Sequence, residues 1–177
     1  MVGRAVSAPL AELTSWKAEW AGLKVAVLGL GQTGFSVADT LAEVGADVLV
    51  VTAQADEEFS RLLPVIGVRL VEADLAEPPA ELVAHAPEVV IASPGFAPHH
   101  PLIRWAQENG IAVWGDIELA WRVRDKVVRA DGTPAEWILI TGTNGKTTTT
   151  RLAATMLVAG GHRAAPCGNI GIPVLDA

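Results

Sequence analysis

At 177 residues, half of them hydrophobic, the chain is long enough for one full domain with a sizeable core, and for two only if one is incomplete. A formal net charge of −7 without any Lys/Arg block excludes a dedicated nucleic-acid surface. No run of about 18 apolar residues is available to span a bilayer and no secretory pattern opens the chain, so a soluble cytoplasmic protein is expected. Cys167 is the only cysteine, which excludes an internal disulfide and a cysteine zinc cluster; it is read as a small buried side chain. His85, His99, His100 and His162 show no metal spacing, and the adjacent His99 and His100 are expected in a solvated, proline-flanked loop.

Residues 1–10 lack periodicity and are expected to be disordered, within an N-terminal extension over residues 1–20. Trp16 and Trp20 lie one helical turn apart and are read as core or edge packing, as are Trp105, Trp114, Trp121 and Trp137. Residues 24–28 predict a short apolar strand that runs into G-L-G-Q-T-G and then a helix. In that helix Phe35, Ala38, Leu41 and Ala42 recur at three and four, and Gly45 is the expected C-cap. Strands are predicted at 47–51, 68–71, 89–92 and 112–114. Between and after them come helices at 57–63, 81–85 and 102–109, the last ending at Gly110, and one following Asp116. Such alternation implies an α/β fold, a Rossmann-like and mostly parallel sheet with helices on both faces over residues 21–123. Residues 124–134 read as a linker, with Asp131, Gly132 and Pro134 as its turn residues. Residues 135–177 hold one strand at 137–140, one loop and one helix, too little for an independent core, and are expected to be the truncated start of a P-loop ATPase-type α/β central domain.

Two turns carry the chemistry. In I-T-G-T-N-G-K-T-T, the backbone N–H groups from Gly142 through Thr143, Asn144 and Gly145 to Lys146 are suited to a polyphosphate, with the helix N-terminus adding a favourable field. Lys146 supplies a mobile charge for the β- and γ-phosphates, the Thr147 hydroxyl is placed for Mg²⁺, and Thr148 follows in the same turn. The loop is a shortened variant, because Ile140 stands where the general phosphate-loop pattern has its first glycine. Upstream, Gly29, Gly31 and Gly34 satisfy G-x-G-x-x-G, with Gln32 and Thr33 between the last two. A dinucleotide site adds an acid about 20 residues on to grip the ribose, but the second strand ends in Thr52-Ala53-Gln54 and Asp56, Glu57 and Glu58 come later. That counts against NAD, while a diphosphate such as a nucleotide sugar still suits the turn. Ser93, Pro94 and Gly95 end the fourth strand at the same edge of the sheet, either as part of the crevice or as an ordinary turn.

Taken together, T-G-T-N-G-K-T-T, G-L-G-Q-T-G, A-S-P-G, W-G-D-I-E-L and C-G-N-I-G, in this order, resemble the Mur ligases along nearly the whole chain. The resemblance is nearest to the members that add D-glutamate. It implies an ATP- and Mg²⁺-dependent amide ligase that joins D-glutamate to UDP-N-acetylmuramoyl-L-alanine through an acyl phosphate in peptidoglycan precursor synthesis. By motif, Gly31, Gln32, Thr33, Gly34, Ser93, Pro94 and Gly95 would approach the UDP end of the substrate, and Asn169 would contact it from the second domain. The family often has Asp followed by Thr or Ser at the end of the second strand; here the Thr52 hydroxyl is the expected contact to uracil or ribose. The remaining catalytic groups implied by the family lie beyond Ala177, so the 177-residue chain is expected not to catalyse the complete reaction. The alternatives are an L-alanine-adding Mur ligase, whose phosphate loop typically has His at the position of Asn144, an NAD-linked oxidoreductase, and a regulatory nucleotide-binding module.

Overall fold

A computed structural model of the chain describes residues 9–177. Its elements follow the alternation of the sequence: β1 (Lys24–Leu28), α1 (Gln32–Glu43), β2 (Asp47–Thr52), α2 (Glu57–Leu62), β3 (Arg69–Glu72), α3 (Ala80–His85), β4 (Val89–Ala92), α4 (Pro101–Glu108), β5 (Ala112–Gly115), α5 (Asp116–Arg122) and α6 (Lys146–Ala159). The five strands form one sheet in the order β3-β2-β1-β4-β5, and every pairing is parallel. Among the described residues, no helix is long and apolar enough to cross a membrane.

Side chains of a strand alternate between the two faces of its sheet, and both faces here are apolar. Val25, Val27, Val48, Val50, Val89 and Ile91 pack on one side against Val37 and Leu41 of α1 and Leu119 of α5. Ala26, Leu28, Leu49, Val51 and Val90 pack on the other against Leu82 of α3 and Leu102, Ile103 and Ala106 of α4. The expected α1 stripe is in place, with Ala38 and Leu41 fully buried and Phe35 and Ala42 at the margin. Gly45 follows the helix at φ +81°, a conformation that ends helices at little steric cost for glycine.

The segment before β1 is part of this core. Trp20 and Leu13 are buried, Trp16 packs beside them, and the Trp20 ring meets Trp114 edge-on. Two residues near the end of α5 hold the segment down. Arg122 donates to the carbonyls of Leu10 and Leu13 at 2.8 and 2.9 Å, and Asp125 accepts from the Ser15 hydroxyl and the Trp16 N–H at 2.5 and 2.6 Å. Burial opposes the charge on Asp125, but those two hydrogen bonds outweigh it and hold the carboxyl below its ordinary value. The expectation of disorder over residues 1–10 is corrected at its end, since Leu10–Glu12 forms a 3-10 turn fixed by Arg122. Residues 1–8 lie outside the described residues.

A second correction concerns residues 137–140, which form no strand. A strand needs a ladder partner for its N–H and C=O groups, and among the described residues nothing pairs with this one; Ile138 and Leu139 stand 65% and 78% exposed. The stretch before it is a turn, with Val128 bridging Pro134 and Asp131 accepting from Thr133. α6 forms without burying a residue, its Thr150 and Thr155 hydroxyls donating to the carbonyls four residues earlier. His100 also departs from the solvated loop expected of it. Its Nδ1 caps α4 by accepting from Leu102 N–H at 3.2 Å, and its ring rests against Phe96.

At the amino ends of the strands, His85, the last residue of α3, is buried and reaches β1 with one ring nitrogen and a side chain of β3 with the other. Its Nε2 lies 3.2 Å from the Val25 carbonyl and therefore carries the proton, which leaves Nδ1 to accept from Arg69 at 2.9 Å. Arg69 in turn pairs with Asp47 at 3.0 Å. Burial pushes the His85 pKa down, against the pull of the nearby Asp47 carboxylate.

Candidate functional site

The strand order reverses at β1, whose neighbours are β2 on one side and β4 on the other, and the connections after β1 and β4 lead to helices on opposite faces, α1 and α4; the carboxyl ends at such a switch point are the expected crevice of an open α/β sheet. The glycine-rich turn sits there. Gly29 leaves β1 at φ +94° and donates to the Val51 carbonyl at 2.8 Å, while Ser93 N–H donates to the Leu28 carbonyl at 3.1 Å. A Cβ on Gly34 would lie 2.1 Å from the Gly29 carbonyl oxygen, so only glycine lets α1 begin this close to the strand. Gly31 differs: a Cβ there would meet nothing within 4 Å. It precedes α1 with no side-chain cap, leaving the first N–H groups of the helix turned toward the open mouth. Gln32 is exposed, Thr33 half-buried and Gly34 buried, a gradient from the mouth to the packed base.

Ser93, Pro94 and Gly95 are brought against this turn. Pro94 and Gly95 are exposed at the rim, and Phe96 N–H closes the turn onto the Ser93 carbonyl at 3.0 Å. The Ser93 hydroxyl lies beneath Gly29 and Gly34 and is the buried side-chain polar atom without a partner among the described residues. Thr52 is also adjacent, at the end of β2. Its hydroxyl donates to the Gln54 carbonyl at 2.9 Å, so what it offers a ligand is an oxygen that accepts. Sequence reasoning missed two residues here. Phe96 shields Gly29, its ring 3.1 Å from where a Cβ would stand, and the apolar character of the residue after S-P-G was its only signal. Glu72, the register partner of Thr52, accepts from Ala55 N–H at 3.1 Å and puts a carboxylate at the rim that no spacing rule in β2 finds.

The loop expected to hold phosphates has the bends its glycines predict, with Gly142 at φ +150° and Gly145 at φ +76° directly before α6. Thr143, Asn144, Gly145, Thr147 and Thr148 are exposed, and the start of α6 has no side-chain cap. Lys146 folds back over the loop, its Nζ donating to the carbonyls of Gly142 and Thr143 at 2.5 and 3.3 Å. Asn169 is exposed in a small loop closed by Gly168 N–H on the Ile172 carbonyl at 2.8 Å and Ile170 N–H on the Gly168 carbonyl at 2.7 Å. Cys167 beside it is half-buried, and burial pushes its thiol pKa up, away from nucleophile chemistry.

A parallel sheet with this order and a bare helix N-terminus at its switch point places the unit among the Rossmann-like α/β domains. Residues 23–115 match the model of the Mur ligase MurD-like N-terminal domain, and the chain belongs to that family. The UDP-N-acetylmuramoylalanine–D-glutamate ligase of Leifsonia xyli subsp. xyli is 63% identical over 171 residues, 95% of this chain and 33% of that protein. The ligase of the same name from Tropheryma whipplei is 47% identical over 93% of this chain and 32% of its own, and that of Mycobacterium tuberculosis 41% identical over 88% and 30%. The chain thus spans about a third of the length of the curated relatives it matches. Among solved structures, the UDP-N-acetylmuramate:L-alanyl-gamma-D-glutamyl-meso-diaminopimelate ligase of Neisseria meningitides shares the fold, with a TM-score of 0.51 at 22% identity over 80% of this chain and 41% of that one. A murein peptide ligase from Psychrobacter arcticus does so with a TM-score of 0.50 at 25% identity over 79% and 27%. Membership of this family sets aside the oxidoreductase alternative.

Proposed function

We propose that this chain carries the UDP-substrate domain and the ATP phosphate loop of a cytoplasmic ligase that joins D-glutamate to UDP-N-acetylmuramoyl-L-alanine. The observation that carries the reading is the bare N-terminus of α1 opening at Gly31 onto the switch-point crevice, a site for a diphosphate. In this assignment residues 1–20 are an extension whose described part packs onto the substrate domain of residues 21–123, 124–134 are a linker and 135–177 the start of the P-loop central domain. Gly31, Gln32, Thr33 and Gly34 receive the diphosphate, Thr52 accepts a hydrogen bond from uracil or ribose, and Pro94, Gly95 and Asn169 complete the substrate site. Ser93 supports the turn from below, because its hydroxyl is covered by Gly29 and Gly34.

A carboxylate is a poor acyl donor because it would have to expel oxide. Its oxygen therefore takes the γ-phosphoryl of ATP with release of ADP, and the amine of D-glutamate then attacks the acyl carbon and expels phosphate. The N–H groups from Gly142 to Lys146 and the free start of α6 hold the nucleotide phosphates, and Lys146 exchanges its two loop carbonyls for phosphate oxygens as charge builds on the transferring group. Thr147 offers one exposed hydroxyl oxygen to Mg²⁺; among the described residues no group of three His, Cys, Asp or Glu is gathered to complete such a site. When bound, Mg²⁺ supplies neutralising charge to the phosphate oxygens. Calorimetric titration of the 177-residue chain with UDP-N-acetylmuramoyl-L-alanine, run beside NADH, tests the reading: the nucleotide sugar is expected to bind and NADH is not. NADH binding without the sugar would overturn it. The chain alone is expected to release no ADP on addition of D-glutamate.

A further inference from the structure

Ser36 lies in the interior of α1, where serine is a poor helix former, and it is 4% exposed. Its hydroxyl donates to Asp176 Oδ1 at 2.5 Å, a partner 140 residues away in the 3-10 turn Val174–Asp176. That turn lies on α1 and α5, with Pro173 buried and Leu175 packed against the core that includes Val37, Leu41 and Leu119. The clasp joins the elements that carry the two halves of the proposed substrate site. Ser36 stands four residues along α1 from Gln32, about 6 Å behind the bare N-terminus. Asn169 stands seven residues before Asp176, at most about 25 Å of chain, and the path is shorter here because two backbone hydrogen bonds fold residues 168–172 into a loop and Val174–Asp176 form the 3-10 turn.

We propose that the Ser36–Asp176 hydrogen bond is a clasp that holds the Asn169 loop in register with the glycine-rich turn, which makes Ser36 and Asp176 positioning residues for the nucleotide-sugar substrate. The inference rests on the functional reading above. Neither residue touches the ligand; the clasp fixes where Asn169 stands relative to a helix end whose own position is set by the sheet.

The test is a double-mutant cycle on binding of UDP-N-acetylmuramoyl-L-alanine to the 177-residue chain. Ser36→Ala is expected to weaken binding about fivefold and Asn169→Ala about tenfold, on the scale of one hydrogen bond each. In the Ser36→Ala background the further loss from Asn169→Ala should fall below about twofold, because Asn169 is no longer held in place. Asp176→Ala should behave as Ser36→Ala, whereas Asp176→Asn keeps an acceptor oxygen for Ser36 and should bind as the parent does. A general packing defect would not give that rescue. Additive penalties, or parent-like binding by Asp176→Ala, would overturn the clasp. Amide exchange in the unliganded chain separates this failure from failure of the functional reading: Ser36→Ala should speed exchange across residues 168–172, and unchanged exchange overturns the clasp whether or not the sugar binds.

Discussion

The glycine-rich turn at residues 29–34 is wedged among β1, β2 and β4, whereas the candidate phosphate loop at 142–148 stands clear of any described sheet. In the first, Gly29 bonds back to Val51, Ser93 lies underneath and Gly34 closes to a separation only glycine permits. In the second, Lys146 reaches only the carbonyls of its own loop and α6 buries no residue. Both place a bare helix N-terminus after a glycine, yet one is held by tertiary packing and the other by local backbone preference. Substitutions at the packed base of the first are therefore expected to act on folding, and those at its open mouth or in the second on ligands.

The sharpest contrast comes from Gly34→Ala, whose methyl has no room beside the Gly29 carbonyl. It should cost about 3 kcal/mol, read as a fall in the urea midpoint of the 177-residue chain. Gly31→Ala, with open space around it, should leave the midpoint alone and weaken nucleotide-sugar binding. Equal midpoints for the two variants would break the comparison. Next in size is Arg122→Ala, which removes two hydrogen bonds to the Leu10 and Leu13 carbonyls and the cation stacked on Trp114. About 2 kcal/mol is expected, with quenching of tryptophan emission by iodide increased as residues 10–13 loosen and Trp16 and Trp20 become more accessible.

A smaller effect should follow pH through His85. Because its folded pKa is lowered below the ordinary 6.5, the unfolded chain takes up the proton first, so its contribution to stability is intact above that value and is lost as pH falls below it. Protonation would also cost the hydrogen bond from Arg69 to Nδ1. The melting temperature should fall between pH 7 and pH 5, and His85→Gln should flatten part of that slope; an unchanged slope would mean that other groups carry it. Smallest of all, Lys146→Ala should shift stability by less than about 0.5 kcal/mol, since it gives up only exposed contacts. In an ATP-binding assay on a longer form of the protein the same change should abolish binding.

Most of the fold was legible because its strands are short apolar runs between glycine and proline punctuation. Boundaries moved by a residue or two where caps decide them, as at Pro101, which opens α4 because His100 caps it. Residues 137–140 were read as a strand from the same apolar pattern, and that pattern cannot say whether an edge is available to pair with. The crevice was legible as far as Gly29, Gly31, Gly34 and Ser93, since main-chain bends leave glycine in the sequence. The covered state of the Ser93 hydroxyl and the Glu72 carboxylate at the rim were not legible, because they depend on which strands become neighbours.

The central place of β1 also bears on the order of assembly. β1 meets β2 across a single helix, but it meets β4 only after α1, β2, α2, β3 and α3 have been threaded between them. Closing the longer loop is slower and gains nothing until the pairing forms. The crevice, bounded by the ends of β1 and β4, should therefore be among the last features to appear. In a refolding experiment helical circular dichroism should recover first, and capture of the nucleotide sugar should follow in a later phase.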